Sequence, residues 1–336
     1  MNPALLQIND TQPAPLLGIA KLAAQGESIR QGHLVEYFTL PSRSVLNRCT
    51  SSRMPFTWTI NPYRGCEFAC KYCYARYTHE FMEMRDGVDF ERKIYVKQQA
   101  AWLLRQELKK VKRGEQIAIG TATDPYQPAE KRFLVTLDIL EELALHHGLE
   151  IGIVTKSDLI LRDVELLRLV AEHNSLFVNI TVTTLDAKLA RILEPRAPRP
   201  DLRMGAVREL NAAGVNAGVI CAPVLPGITD SPGALDALVG ATKQARGKYI
   251  YANPLFLKPC SASVFLPFLE QEFPHLVEAY RKRFGDRAFV SKIYSKRISE
   301  LMSSLRKKHG ISHEFSSRSQ SAHPVQQEAE QLKLFG

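Results

Sequence analysis

The stretch Cys66-Glu67-Phe68-Ala69-Cys70-Lys71-Tyr72-Cys73 places three of the chain's six cysteines within eight residues. Thiolates are soft ligands that suit iron–sulfur clusters or zinc. A structural zinc site usually takes four protein ligands, and a disulfide framework needs pairs in an oxidising compartment. Three clustered thiols satisfy neither condition by themselves. A four-iron cubane ordinarily wants four cysteines, so three would leave one iron free to bind something else. The spacing C-x3-C-x2-C is therefore read as an open-sited cluster loop, with zinc and a remote fourth ligand as the rival.

The elements around this loop have a regular rhythm. Thr57 to Ile60 is β-branched and aromatic and leads into the cysteines. Five further short apolar runs follow, at Gln116 to Gly120, Glu150 to Thr155, Leu176 to Thr184, Ala217 to Val224 and Lys248 to Leu257. Short apolar runs bounded by breakers suit strands buried on both faces. Helical spacing recurs between them, over Val96 to Val111, Leu134 to Leu145, Leu159 to Val170, Asp201 to Ala213 and Leu235 to Ala245. The last two stop at Gly214 and Gly247, natural helix ends. Alternating strands and helices imply βαβ units and a parallel sheet. Six units predict a partial (β/α)6 TIM-like barrel, with a doubly wound open sheet as the alternative. In either fold, the loops at the C-terminal strand ends should carry the chemistry.

The expected organisation is an N-terminal extension over 1–56, the barrel over 57–257, a C-terminal helical region over 258–309 and a flexible tail over 310–336. The helical region contains two patterns, Val264 to Phe284 and Val290 to Leu305. The tail is rich in Ser, Gln and His and has too few apolar residues to fold alone. At 336 residues with 45% hydrophobic content there is ample material for a core. No apolar run is long enough to span a bilayer, and Met1 to Ala20 shows no secretory pattern. These features predict a cytoplasmic protein with no membrane attachment, where thiols stay free for metal. A net charge of +9 suits a nucleic-acid partner, although a merely basic soluble surface accounts for it equally well.

Cys66, Cys70 and Cys73, on a loop after the first strand and with the aromatic Tyr72 before the third cysteine, resemble the radical S-adenosylmethionine (SAM) superfamily. The segments "GTATDPYQPAE" (Gly120 to Glu130), "VTKSD" (Val154 to Asp158) and Thr183 to Asp230 look like the branch that includes spore photoproduct lyase. The resemblance implies one 4Fe-4S cluster on the three cysteines, with S-adenosyl-L-methionine chelated at the free iron. It implies an electron donor such as flavodoxin or ferredoxin, and cleavage of SAM to methionine and a 5′-deoxyadenosyl radical. It also implies roles at single positions. Tyr72 would offer backbone contacts near the adenine, and Thr123 and Asp124 lie where the methionine amino group is contacted. Lys156 and Ser157 would meet the SAM carboxylate, and Thr181 or Thr183 the ribose hydroxyls. Thr is also common in strands for structural reasons. Glu194 and Arg196 either aim into the barrel mouth or form a structural ion pair, and Tyr126 and Glu130 carry the same ambiguity.

The lyase resemblance also implies a hydrogen-donating cysteine at the position of Thr121, and a hydroxyl is a far poorer hydrogen-atom donor than a thiol. Cys260, after the sixth strand, is the first substitute candidate. Cys221 reads as a small buried hydrophobe. The leading substrate is DNA or RNA. The alternatives are radical modification of a protein or peptide, and a cluster-bearing DNA-binding regulator without turnover. Gln331, Leu332, Leu334 and Phe335 resemble the bacterial sliding-clamp motif Gln-Leu-x-Leu-Phe, which would tether the enzyme to DNA.

Overall fold

The six apolar runs form strands that neighbour one another in chain order. The computed structural model describes residues 16–31, 34–51, 54–285 and 287–311. The sliding-clamp-like residues Gln331, Leu332, Leu334 and Phe335 lie outside the described residues. The strands are β1 (Ser28–Gln31), β2 (Glu36–Leu40), β3 (Leu46–Arg48), β4 (Trp58–Ile60), β5 (Tyr63–Arg64), β6 (Lys93–Lys97), β7 (Gln116–Ile119), β8 (Glu150–Thr155), β9 (Ser175–Thr181), β10 (Ala217–Val224) and β11 (Ile250–Pro254).

The larger sheet has the order β11-β10-β9-β8-β7-β4-β3. Every neighbouring pair from β4 to β11 is parallel, and only β3 runs antiparallel to β4. The order never reverses, as it would in a doubly wound sheet. The fold is thus a six-stranded parallel, partial barrel with β3 extending one edge. Helices Val135–Ala144, Val164–His173, Pro200–Ala212 and Pro232–Gln244 supply the crossovers. Ile117, Ile119, Ile151, Ile153, Val178, Ile180 and Val219 meet these helices in one continuous apolar core. The final helix, Lys292–His309, adds Tyr294, Ile298, Met302 and Leu305 to it, and Ile311 follows just beyond.

A second sheet, β1-β2-β6-β5, flanks the barrel entrance. The chain leaves β4 at Ile60, pairs with β6 at Tyr63 and Arg64, and then enters the cysteine loop. That loop therefore starts from the junction of two sheets. A second apolar cluster closes over its other side. Phe68, Tyr72, Leu193, Leu225, Leu255, Leu257 and Phe265 are buried together there.

Element boundaries depart from the sequence reading where local signals compete. Val96 does not open a helix, because Val96 and Lys97 complete β6, paired with β2. The helix begins at Ala100, after Gln99 turns the chain at a φ of 54°. The region Val264 to Phe284 is two helices, Pro259–Glu272 and Val277–Phe284. Pro274 between them lacks an amide hydrogen and cannot continue the first. Among the described residues no helix is long and apolar enough to cross a membrane.

Gly218 shows how tightly the barrel is packed. A Cβ there would stand 2.4 Å from the Tyr249 ring. That ring is buried and its hydroxyl donates to Val178 O (3.1 Å) and Asn179 Oδ1 (3.0 Å). Gly218→Ala must displace a ring fixed at both ends, and should destabilise the fold by about 1–3 kcal/mol. Denaturant unfolding of the purified variant checks this, and unchanged stability would show that the ring has room to yield.

Candidate active site

The cysteine loop has almost no regular structure, so its backbone needs partners from elsewhere. The Gly65 carbonyl accepts from Thr123 Oγ1 (2.6 Å) and Gln127 Nε2 (3.1 Å), and Gln127 Oε1 accepts the Glu67 amide (3.0 Å). The Cys70 carbonyl accepts from Arg76 (3.0 Å), a buried guanidinium also paired with Glu91 at 2.6 Å. The Lys71 amide donates to Leu193 O (2.9 Å). The Cys73 carbonyl accepts from Ser261 Oγ (2.8 Å). Partners from the second, fourth and sixth strand ends thus grip one loop.

Most of the sequence-predicted site residues converge beside it. Gly120, at a φ of 86°, turns the chain out of β7 where a Cβ would meet Val154 O at 2.5 Å, so only glycine fits. Asp124 follows and accepts three hydrogen bonds, from the Tyr126 amide (2.9 Å), Thr155 Oγ1 (2.6 Å) and the Lys156 amide (2.7 Å). Its carboxylate locks the β7 loop to the β8 loop. Burial pushes its pKa up against those donors. Ser157 caps the turn Asp158–Asp163 by accepting the Leu159 amide at 3.3 Å.

The Lys156 Nζ stands 5.7 Å from the centre of the Tyr72 ring. Burial opposes its charge, but Cys70 and Glu194, with Asp124 beyond them, raise its pKa above the usual lysine value. The ammonium makes no side-chain hydrogen bond or ion pair with the described residues. The Tyr72 hydroxyl bonds to Thr183 Oγ1 (3.0 Å) and donates to Glu194. Glu194 also accepts from Thr183 (3.0 Å) and is ion-paired with Arg203. Arg203 donates further to Pro198 O (2.8 Å) and Thr181 O (3.1 Å). Thr181 contributes its backbone carbonyl to this network, and its side chain is buried at the end of β9.

Burial drives the Cys66 pKa well above the ordinary thiol value, with Asp124 and the other two cysteines adding to the shift. Burial likewise pushes Cys70 to about 12. Without a cation these groups stay protonated. The donor set is all thiol, and Lys156 and Arg203 offset negative charge at Cys70. Among the described residues no three His, Cys, Asp or Glu side chains are grouped to hold a single metal ion. Three thiols and no nitrogen or carboxylate ligand is the donor chemistry of an iron–sulfur cluster loop.

The structure decides between alternatives that the sequence left open. Glu194 pairs with Arg203 rather than Arg196, whose guanidinium reaches Glu91 O at 3.4 Å. Glu130 is structural: it binds Tyr63, Arg162 and two backbone amides, and is fully buried. Tyr126 lies in the main core. Cys221 is buried in the barrel core, with only a weak 3.9 Å contact from its thiol to Thr183 O. Cys260 is the second residue of helix Pro259–Glu272, half-buried, next to the Ser261 that holds the Cys73 carbonyl. Thr121 receives Asn61 Nδ2 (3.3 Å) on its hydroxyl and the Tyr74 hydroxyl on its carbonyl. Arg76, Gln127 and Arg203 were not singled out from sequence. They carry no motif, and their partners are set by the fold.

The site is a three-thiol loop over the C-terminal ends of a six-stranded parallel partial barrel, with an unpaired lysine beside it. A family model described as Radical SAM superfamily matches residues 60–237. The chain belongs to the radical SAM superfamily, a family that implies a 4Fe-4S cluster and SAM. It is 35% identical over 265 residues to the uncharacterized protein Rv2578c of Mycobacterium tuberculosis (strain ATCC 25618 / H37Rv), covering 78% of each chain. It is 29% identical over 236 residues to the uncharacterized protein MJ0683 of Methanocaldococcus jannaschii, covering 70% of this chain and 84% of the other. Among solved structures it resembles spore photoproduct lyase with bound AdoMet and dinucleoside spore photoproduct. The TM-score is 0.61 at 15% identity, over 81% of this chain and 79% of that one. That likeness establishes a shared fold.

Glu194 and Arg203 are each about 1% exposed in their side chains. Burial raises the Glu194 pKa, but Arg203 and Lys156 outweigh it and hold the carboxyl below its ordinary value. Its stabilising contribution is therefore complete above the ordinary carboxylate range and lost as pH falls through the depressed value. Glu194→Gln leaves a buried guanidinium unpaired and should cost about 3–5 kcal/mol at neutral pH. Unfolding free energies measured from pH 7 to 3 should converge between wild type and variant at the acid end. A constant gap across that range would show that the ion pair is not the source.

Proposed function

We propose that this chain reductively cleaves SAM and directs the resulting radical at nucleic acid. The observation that carries the reading is the Lys156 ammonium, unpaired and held over Tyr72 beside three buried thiols. Cys66, Cys70 and Cys73 would hold the cluster, which when reduced supplies the electron that splits SAM into methionine and a 5′-deoxyadenosyl radical. Lys156 would take the SAM carboxylate, a charge-assisted contact that the site otherwise leaves unmade. Asp124 positions that lysine through its amide, and Glu194 fixes the Tyr72 ring beneath it.

The surface beside the loop supports a nucleic-acid substrate. Tyr74, immediately after Cys73, is 43% exposed and lies 6.4 Å from the Phe256 ring, which stacks on the half-exposed Phe289 at 4.4 Å. The Lys258 ammonium sits 4.0 Å from the Tyr77 ring centre in the same group. Aromatic faces next to lysines are platforms on which unpaired bases stack. The net charge of +9 adds a field of the right sign. Thr121 offers no thiol for returning hydrogen, and Cys260, next to the Ser261 that bonds the Cys73 carbonyl, is the candidate replacement.

Anaerobic reconstitution followed by reductant and SAM provides the test. The wild type should release 5′-deoxyadenosine, faster with single-stranded DNA or RNA present. Cys66→Ala, Cys70→Ala and Cys73→Ala should each abolish release, and Lys156→Met should raise the SAM concentration needed by at least about tenfold, the weight of one charge-assisted contact. Comparable SAM cleavage by Cys66→Ala would overturn the cluster assignment. Release indifferent to every oligonucleotide would overturn the substrate. Cys260→Ala should alter the product pattern, and an unchanged pattern would remove Cys260 from the reaction.

A further inference from the structure

Arg76 carries a buried charge to which the chemistry above gives no role. Its side chain is 0% exposed, and that of its ion-pair partner Glu91 is 9% exposed. A buried ion pair adds little net stability, because desolvation offsets most of the attraction. What the guanidinium adds here is geometry. Its Nη2 donates to Cys70 O (3.0 Å) and to Glu91 (2.6 Å), and its Nη1 donates to Gly87 O. One planar fork thus ties a cysteine of the loop to both ends of the segment 87–91.

The same segment holds another cysteine. The Cys66 amide donates to Phe90 O at 2.9 Å. Gly65, at a φ of 84°, lies flat against it: a Cβ there would meet Phe90 O at 2.8 Å and Lys93 O at 2.7 Å, backbone against backbone. Arg196 adds a further link. Its amide donates to Phe68 O (3.3 Å) and its guanidinium to Glu91 O (3.4 Å). The loop is therefore referred at Gly65, Cys66, Phe68 and Cys70 to one short backing segment. At Cys70 that reference is a side chain, Arg76. The next amide, that of Lys71, turns away to Leu193 O on a different element.

We propose that Arg76 is the positioning residue of the ligand set: by gripping the Cys70 carbonyl and the segment 87–91 in one fork, it sets where Cys70 stands relative to Cys66 before any metal arrives. The inference rests on the reading that Cys66, Cys70 and Cys73 hold a cluster. Arg76 acts through the backbone at Cys70. Ligands spaced in advance lose less order when they bind, and groups that orient a metal ligand are worth about 10–100-fold in metal affinity. The compact ammonium of a lysine does not match three acceptors that a planar fork spans.

Two variants of the full-length chain test this. Arg76→Met/Glu91→Met removes both charges and so avoids the cost of a lone buried carboxylate. Arg76→Lys keeps the charge opposite Glu91 and loses the fork, and it carries the test if the double variant does not fold. Each is reconstituted anaerobically with iron and sulfide, and iron loss to a chelator is timed. Separately, alkylation of Cys70 in the metal-free protein is followed by mass spectrometry, with Cys49 as internal reference. Iron should leave about 10–100-fold faster than from wild type, and Cys70 should be alkylated at least about tenfold faster through local opening of the loop. Gly218→Ala, weakened in the barrel wall, should keep wild-type protection at Cys70. Equal loss of protection in Gly218→Ala would make the effect one of stability and overturn the positioning role. Wild-type protection of Cys70 in Arg76→Lys or in the double variant would overturn it, because the ligand would then be in place without the fork. Exposed Cys70 with wild-type iron retention would overturn it as well, because the cluster would then set the spacing by itself. A wild-type chain that takes up no cluster would fail the reading of the cysteines, whereas Cys70 protection, measured without metal, would still judge Arg76.

Discussion

The buried carboxylate of Glu194 joins the parts of this structure that matter for chemistry. It receives the Tyr72 hydroxyl from the cysteine loop, the Thr183 hydroxyl from the end of β9, and the Arg203 guanidinium from the following helix. A carboxylate in such a place is tolerable only when paired and hydrogen-bonded. The requirement works in both directions. Arg203 is held by Glu194 and two backbone carbonyls, so the fourth strand end is rigid, and Tyr72 is then rigid with it. A loop without secondary structure thereby acquires the fixed geometry that a three-point ligand set demands.

The same constraint explains why the thiols suit a charged inorganic group. Burial disfavours thiolate at Cys66 and Cys70, and the surrounding protein offsets this only in part, through Lys156 and Arg203 at Cys70. Bound to Cys66, Cys70 and Cys73, iron would provide the remaining positive charge in place of the thiol protons, so loading such a site would be coupled to pH and to the order of the loop. The pattern is opposite to that of a reactive, exposed cysteine, whose pKa is lowered.

Legibility from sequence followed the range of the interactions. The three cysteines sit within eight residues, so their grouping needed no fold to be seen. The six parallel strands announced themselves as apolar runs, because each is buried by its own composition. Asp124 and Lys156 were placed near one another only through resemblance, and the structure adds the physical link, a carboxylate accepting the lysine's own amide. Arg203 and Gln127 were invisible. Arg203 lies 131 positions after Tyr72, as the numbering shows, and Gln127 reaches back to Glu67. No local periodicity records such partners. The strand signal also failed at Val96, where pairing with β2 decides the structure and helical spacing does not.

Thr121 belongs to the scaffold around the cysteine loop. The hydroxyl there is occupied by Asn61, and its neighbouring carbonyl by Tyr74, so the segment after β7 serves to anchor the loop and the exposed aromatic beside it. The residues that grip Gly65, Cys70 and Cys73 do not include Thr121, so those three positions are held without its side chain. The geometry of the cysteine loop depends on the strand ends that grip it. On the other side of the loop, the sixth strand's extension meets it through Ser261, whose hydroxyl donates to the Cys73 carbonyl and whose chain neighbour is Cys260.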